Sequence, residues 1–217
     1  MAVKKGKSKA FIIAGVLLLL VAGGLFVYSR IDDHLAGLRA QRVLEQVLAG
    51  DWEVAVLNAR NQHSASQGNA AGALDYPEFE RDSEEAGEIP FANSVIGILE
   101  IHDLDITLPV FNSSTNAMLN ISPGRYMGSL GEKPERLVIA GHNYRRHFGQ
   151  ISTLVPGDMI TFTTSDGSVY HYEMIGAESI HMNDVTLIEA CSEWDITLLT
   201  CEKDNTFRTL VRFREVL

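Results

Sequence analysis

Apolar residues follow three different patterns along the chain, and each predicts a different kind of element. The first is the unbroken run "FIIAGVLLLLVAGGLFVY", Phe11 to Tyr28, which has no charge and no polar face. At about 1.5 Å per residue an 18-residue helix nearly crosses a hydrocarbon core of roughly 30 Å. The second covers residues 31–60. There Leu35, Leu38, Val43, Leu44, Val47 and Leu48 recur at roughly helical spacing, and Asp32 and Asp33 stand near the start. This spacing predicts an amphipathic helix, read as a stalk above a membrane. The third begins at Phe91, where short apolar stretches of strand length are separated by Gly, Asp, Asn or Pro.

Eight strands are expected in that last region: 94–101, 106–111, 137–140, 159–164, 169–175, 178–182, 196–201 and 207–213. Asp166-Gly167 marks a tight hairpin between the fourth and fifth. Short helical turns are expected within 115–121, 149–154 and 184–189. Many short strands with little helix predict a closed or nearly closed β-barrel. Between helix and barrel, residues 61–90 are polar, acidic and rich in small side chains, which is linker composition. Leu74, Tyr76 and Phe79 are exceptions within it. They are expected to dock on the barrel, as an edge-covering turn or as a gate over a groove.

Charge changes the picture at the first pattern. Residues 1–30 hold Lys4, Lys5, Lys7, Lys9 and Arg30 and no acid. With 18 basic residues overall, 13 remain for the rest of the chain against 28 acids, a net of −15. Phosphate repels so acidic a body, which excludes nucleic acid as the expected partner. Lysines ahead of an uncharged run predict a cytoplasmic N-terminus and an extracellular body. A cleaved signal peptide fits less well, because the run exceeds the usual apolar length of about 7–15 residues and "VYSRIDD" is a poor cleavage site. The expected organisation is a cytoplasmic basic segment at 1–10 and a membrane-spanning anchor at 11–29. An extracellular helical stalk and linker follows at 30–90, then a barrel domain at 91–217.

The candidate chemistry lies in "TLLTCEKDNTFR", residues 197–208. If the segment is a hairpin with Cys201 opposite Arg208, both side chains share a face with Thr197, Leu199, Leu210 and Arg212. Arg212 then lies about 13 Å away at about 3.3 Å per residue, leaving Arg208 as the arginine that can serve the cysteine. Thiolate is the reactive form of cysteine, and an arginine can donate to an oxyanion. On the hairpin alone, a cysteine packed as a small hydrophobe is an equal alternative. "LVIAGHN" supplies a base: an apolar strand ends at Gly141, and His142 follows at the barrel rim. His142 and His147 make a weak metal-ligand pair, since no acid or cysteine lies nearby in sequence. Cys191 is expected to be a structural thiol; a redox disulfide with Cys201 is the sharper alternative.

Together these segments resemble the sortases. "TLLTC" fits the Thr-Leu-x-Thr-Cys signature of that family, and Arg208 fits its downstream arginine. "LVIAGHN" resembles the segment with the family's catalytic histidine. "IGILEIHDLDITLPVF" and "GQISTLVPGDMITFTTSDGSVYHYEM" resemble the strands around it, so the likeness runs unbroken over residues 91–217. The resemblance implies a mainly-β, sortase-like eight-stranded barrel. It also implies a cysteine transpeptidase, on a membrane tether outside a Gram-positive cell, with no metal or organic cofactor. Cys201 would attack the Thr–Gly bond of an LPxTG-like sorting-signal peptide, and His142 would handle the protons. Arg208 would stabilise the oxyanion, with Thr200 and Asn143 as further candidates near it. The acceptor would be an amine from a cell-wall precursor or a pilin. A thiol hydrolase with the same residues and a non-catalytic binding module stand as alternatives. Asp75-Tyr76-Pro77 departs from the Asp-Pro-aromatic lid of pilin-polymerising sortases, so subclass stays open.

Overall fold

The computed structural model describes residues 6–50, 95–130, 133–184, 186–189, 193–202 and 206–216. The 61–90 linker with its Leu74, Tyr76 and Phe79, and Cys191, lie outside the described residues. The chain divides into two compact units, residues 1–35 and 36–217. Helix α1 is Gly6–Leu48. In the first unit every side chain from Phe11 to Tyr28 is exposed, so no core among the described residues covers this apolar stretch. Its mean hydropathy reaches 2.6 over an 18-residue window, enough by length and composition to cross a membrane.

The second unit is a closed barrel. Its strands are β1 (Val95–Ile101), β2 (Ile106–Phe111), β3 (Gly124–Leu130), β4 (Pro134–Ala140), β5 (Met159–Thr164), β6 (Val169–His181), β7 (Ile196–Cys201) and β8 (Phe207–Val216). Around the barrel they run β1-β2-β3-β4-β7-β8-β6-β5, and β5 closes back on β1. Most neighbours are antiparallel; β2 with β3 and β4 with β7 are parallel. Short turns of helix, α2 (Asn116–Leu119) and α3 (Thr186–Glu189), and a 3₁₀ turn at Ile151–Thr153 fall where helical turns are expected. A further 3₁₀ turn, His102–Leu104, joins β1 to β2.

The expected total of eight strands holds, but two assignments differ. Strand β3 was not anticipated. It carries Gly124 and Gly128, its side chains are mostly half-buried, and its register with β4 shifts twice, so the two-residue alternation is broken. Conversely, the segments expected as separate strands at 169–175 and 178–182 are one 13-residue strand, β6. A register shift between Met174 and Gly176 against β8 interrupts its pattern without ending it.

Alternation along the strands separates two apolar surfaces. Leu137 and Ile139 of β4, Ile196 and Leu198 of β7, and Val211 and Phe213 of β8 fill the barrel interior with Leu99, Ile101 and Phe162. Their neighbours Val138, Ala140, Leu199 and Leu210 face outward, yet are buried by Leu119, Ile188 and Trp194. Segment 36–48 of α1 also belongs to this unit. Ala36, Ala40, Val43 and Val47 form one buried helical stripe. Val43 and Val47 cover Val95, Ile98, Phe111, Met118 and Ile121, and Ala40 joins the interior cluster. Each fully buried valine contributes about 1.5–3 kcal/mol. This length of helix is therefore docked on the barrel rather than standing free of it.

Candidate active site

Three neighbouring strands bring the candidate residues level. In the antiparallel β7–β8 ladder Cys201 pairs with Arg208, Leu199 with Leu210 and Thr197 with Arg212. The expected register, with Arg208 beside the cysteine and Arg212 far down the strand, is the observed one. On the other side, β4 runs parallel to β7 with Ala140 opposite Leu199. The Gly141 amide donates to the Leu199 carbonyl at 2.9 Å, continuing that register past the end of β4. The ends of β4 and β7 and the start of β8 therefore adjoin, and His142, just past the end of β4, Cys201, the last residue of β7, and Arg208, near the start of β8, fall in a row at one end of the barrel.

Gly141 makes the turn at the base of this row. A Cβ there would stand 2.6 Å from the Phe148 ring, so only glycine lets that ring pack behind His142. The loop folds back through the Phe148 amide, which donates to the His142 carbonyl at 3.1 Å. The His147 and Gly149 amides both donate to the Tyr144 carbonyl at 2.9 Å. Ring edges continue the chain: His142 to Tyr144 at 5.3 Å and Tyr144 to His147 at 5.4 Å between centroids.

His142, Cys201 and Arg208 are all largely buried, with relative exposures of 7%, 9% and 3%. A guanidinium so shielded from water acts on charge developing nearby with little solvent screening. Thr200 is buried next to Cys201 in β7. The pleat turns its side chain to the opposite face from Cys201, and its hydroxyl donates to the Gly141 carbonyl at 2.9 Å. It ties the histidine strand to the cysteine strand. Asn143 is exposed, on the solvent side of the loop.

An apolar cluster adjoins the row on the outer face of the barrel. Val138, Ala140, Leu199, Leu210 and Ile180 are packed with Leu119, Ile188 and Trp194, and all of them are buried. Arg212 borders this cluster at Trp194. Its Nε donates to Glu178 Oε1 at 2.8 Å and its Nη2 to the Leu187 carbonyl at 2.8 Å. Its Nη1 donates to the Ile188 carbonyl at 3.3 Å and to Thr197 Oγ1 at 3.4 Å. The Trp194 ring lies 5.1 Å from the Arg212 guanidinium, and Arg136 approaches the same ring at 5.3 Å. This pin on α3 escaped sequence reasoning, although the hairpin register had placed Arg212 on the same face as Cys201.

A cysteine at a strand end, paired with an arginine on one neighbouring strand and adjoining the end of another that leads into a histidine, is an arrangement suited to acyl transfer through a thioester. Residues 99–216 match the sortase domain model, and the chain belongs to the sortase family. It is thus a cysteine transpeptidase, of a family that acts on surface proteins. The chain is 26% identical over 211 residues to sortase A of Staphylococcus aureus, spanning 93% of this chain and 91% of that protein. It is 29% identical over 119 residues to sortase A of Listeria monocytogenes, about half of each chain. Among solved structures, sortase A from Corynebacterium diphtheriae superposes with a TM-score of 0.55 at 22% identity, covering 85% of this chain and 94% of that one. Streptococcus pneumoniae sortase C gives 0.55 at 22%, covering 82% and 96%.

Proposed function

We propose that this chain cleaves an LPxTG-like sorting signal of secreted surface proteins and transfers the acyl group to an amine, from a membrane tether with the barrel outside the cell. The observation that carries the reading is the row of His142, Cys201 and Arg208 at one end of the barrel, with Cys201 directly paired to Arg208. Cys201 as thiolate attacks the carbonyl of the Thr–Gly bond. Arg208 donates to the oxyanion of the tetrahedral intermediate. His142 protonates the departing amine as the C–N bond breaks, leaving a thioester on Cys201. An incoming amine gives its proton to His142, attacks the thioester and restores the thiolate. One solved relative, Clostridium perfringens sortase C, is described with a C-terminal cell wall sorting motif, which supports a peptide of this kind as substrate. The acceptor is a cell-wall precursor or a pilin lysine.

For the tether, the four lysines ahead of Phe11–Tyr28 favour a cytoplasmic N-terminus. The function is tested by incubating the protein with sorting-signal peptides and a panel of amines, followed by mass spectrometry. A Cys201-linked acyl-enzyme and a peptide–amine product are expected, both absent from Cys201→Ala. Substantial product from Cys201→Ala, or hydrolysis alone with every amine, would overturn transpeptidation by this residue.

A further inference from the structure

The loop that carries His142 is packed from behind by α1. His147 is fully buried, and its ring stands against the Ala36 carbonyl without reaching hydrogen-bond geometry. Neither ring nitrogen has a hydrogen-bond partner among the described residues. Phe148 is fully buried in the cluster that includes Ala40. The Arg146 side chain crosses Gly37 so closely that a Cβ at Gly37 would lie 2.2 Å from Arg146 Cδ. Small residues at 36, 37 and 40 thus let three successive loop residues, Arg146, His147 and Phe148, pack against the helix. The same helix also packs on the segment around α2. Arg39 Nη1 donates to the Asn120 carbonyl at 3.4 Å, and Val43 and Val47 pack on Met118 and Ile121. Leu119, between them, belongs to the apolar cluster beside β7 and β8.

We infer that segment 36–47 of α1 holds the His142 loop in register, and that His147 is a positioning residue for His142. The inference rests on the proposed role of His142. The contacts that locate His142 include the Gly141 tie to β7, the Phe148-to-His142 bond, and the aromatic edges through Tyr144 to His147. Phe148 anchors the loop in the barrel interior, and His147 sets it against the helix at Ala36. The back of the loop therefore takes its position from the barrel at one residue and from the helix at its neighbour. A buried ring with no hydrogen bond holds by shape alone, so its volume rather than its polarity is what the loop requires.

The experiment uses the full chain, in membranes or detergent, with His147→Ala, His147→Phe, Gly37→Val and His142→Ala. Two quantities are read below the melting temperature of each variant. One is kcat and KM for acyl transfer. The other is the pH profile of iodoacetamide alkylation at Cys201, followed at that peptide by mass spectrometry so that Cys191 does not interfere. His147→Ala is expected to lower kcat between about tenfold and a hundredfold, as displacement of a catalytic group by about 1 Å does. Its KM should change less than threefold, and its alkylation profile should move toward that of His142→Ala. His147→Phe, which restores ring volume, should recover most of both. Gly37→Val approaches the same loop from the helix side and should reproduce the His147→Ala profile, so the test survives if one variant fails to fold. Wild-type kcat and profile in folded His147→Ala and Gly37→Val would overturn the inference, and so would a folded His147→Phe no better than His147→Ala. If His142→Ala keeps wild-type activity and profile, the assignment of His142 falls and the positioning role falls with it. A wild-type-like His142→Ala is thus distinct from the first outcome, in which His142→Ala is inactive and the packing variants are not.

Discussion

Cys201 and Arg208 form the last rung of the β7–β8 ladder. Just beyond them the Glu202 amide donates to the Phe207 carbonyl at 2.8 Å, which holds the rung closed at the edge of the turn. A directly opposed cross-strand pair puts its Cβ atoms about 4.5–5.5 Å apart. The two side chains therefore leave the backbone side by side, placed by the ladder itself and not by a flexible loop.

That geometry separates the two arginines of β8. Arg208→Ala should lower kcat by at least about 10²-fold, the loss typical of one oxyanion donor, with little change in melting temperature. Arg208→Lys should recover only part of the rate, because an ammonium lacks the planar fork. Steady-state kinetics and thermal melts on the same preparations check both.

Arg212→Ala should do the opposite. It removes the donors that satisfy the carbonyls of Leu187 and Ile188 and the Glu178 carboxylate. Glu178 is half-exposed and rehydrates, but the Ile188 contact is buried. A stability loss of roughly 2 kcal/mol is expected in urea unfolding. α3 should loosen, so KM for a sorting peptide should rise more than kcat falls. A collapse of kcat at unchanged stability would contradict the role of Arg212 as a pin.

Thr200 gives a third contrast. Its hydroxyl donates to the Gly141 carbonyl, away from Cys201. Thr200→Val keeps the shape and leaves that carbonyl without its donor, at a cost of about 1–2 kcal/mol. The rate should fall by less than about tenfold, whereas loss of an oxyanion donor costs about 10²–10³-fold. Thr200→Ser should behave as wild type. A hundredfold loss of kcat in a fully folded Thr200→Val would return the residue to the oxyanion.

What the sequence discloses and what it hides follow from the same physics. The Cys201–Arg208 pairing was readable because one strand, a short turn and a second strand leave little freedom of register, and a slip of one residue would turn Leu199 and Leu210 to the wrong face. The level of His142 was readable only as "at a strand end". Its alignment with Cys201 depends on the parallel β4–β7 pairing, a contact between segments some sixty residues apart that no local pattern encodes. Strand β3 was hidden by its glycines and register shifts, and β6 was divided on paper by the irregularity at Gly176. The docking of α1 was hidden for another reason. Leucine spacing points to Leu35 and Leu48, and both are exposed in the fold at 41% and 69%, while the buried stripe begins with Ala36 and Ala40. Alanine adds little to a hydrophobic pattern, yet it is the residue that permits the closest approach.

Acid should expose the strain of keeping His147 neutral. Burial, then the neighbouring positive charge of His142, lowers its pKa from 6.5 to about 4, and Arg39 adds to the effect. In the unfolded chain the same imidazole takes up a proton near its ordinary value. Between those two values the unfolded state binds more protons than the folded one, so stability falls as pH drops from about 6.5 to about 4. Above that window the residue contributes no pH dependence, and below it the loss is complete. The depth is on the order of 3 kcal/mol. His147→Phe has no proton to bind in either state. Urea unfolding of wild type and His147→Phe at pH 7.5, 5.5 and 4.5 should therefore diverge, with the variant losing less stability on acidification. The carboxylates that titrate in the same range are common to both proteins and cancel in the comparison. Parallel losses across the three pH values would mean that the folded loop accepts the proton without cost, and that His147 is not sealed beneath α1.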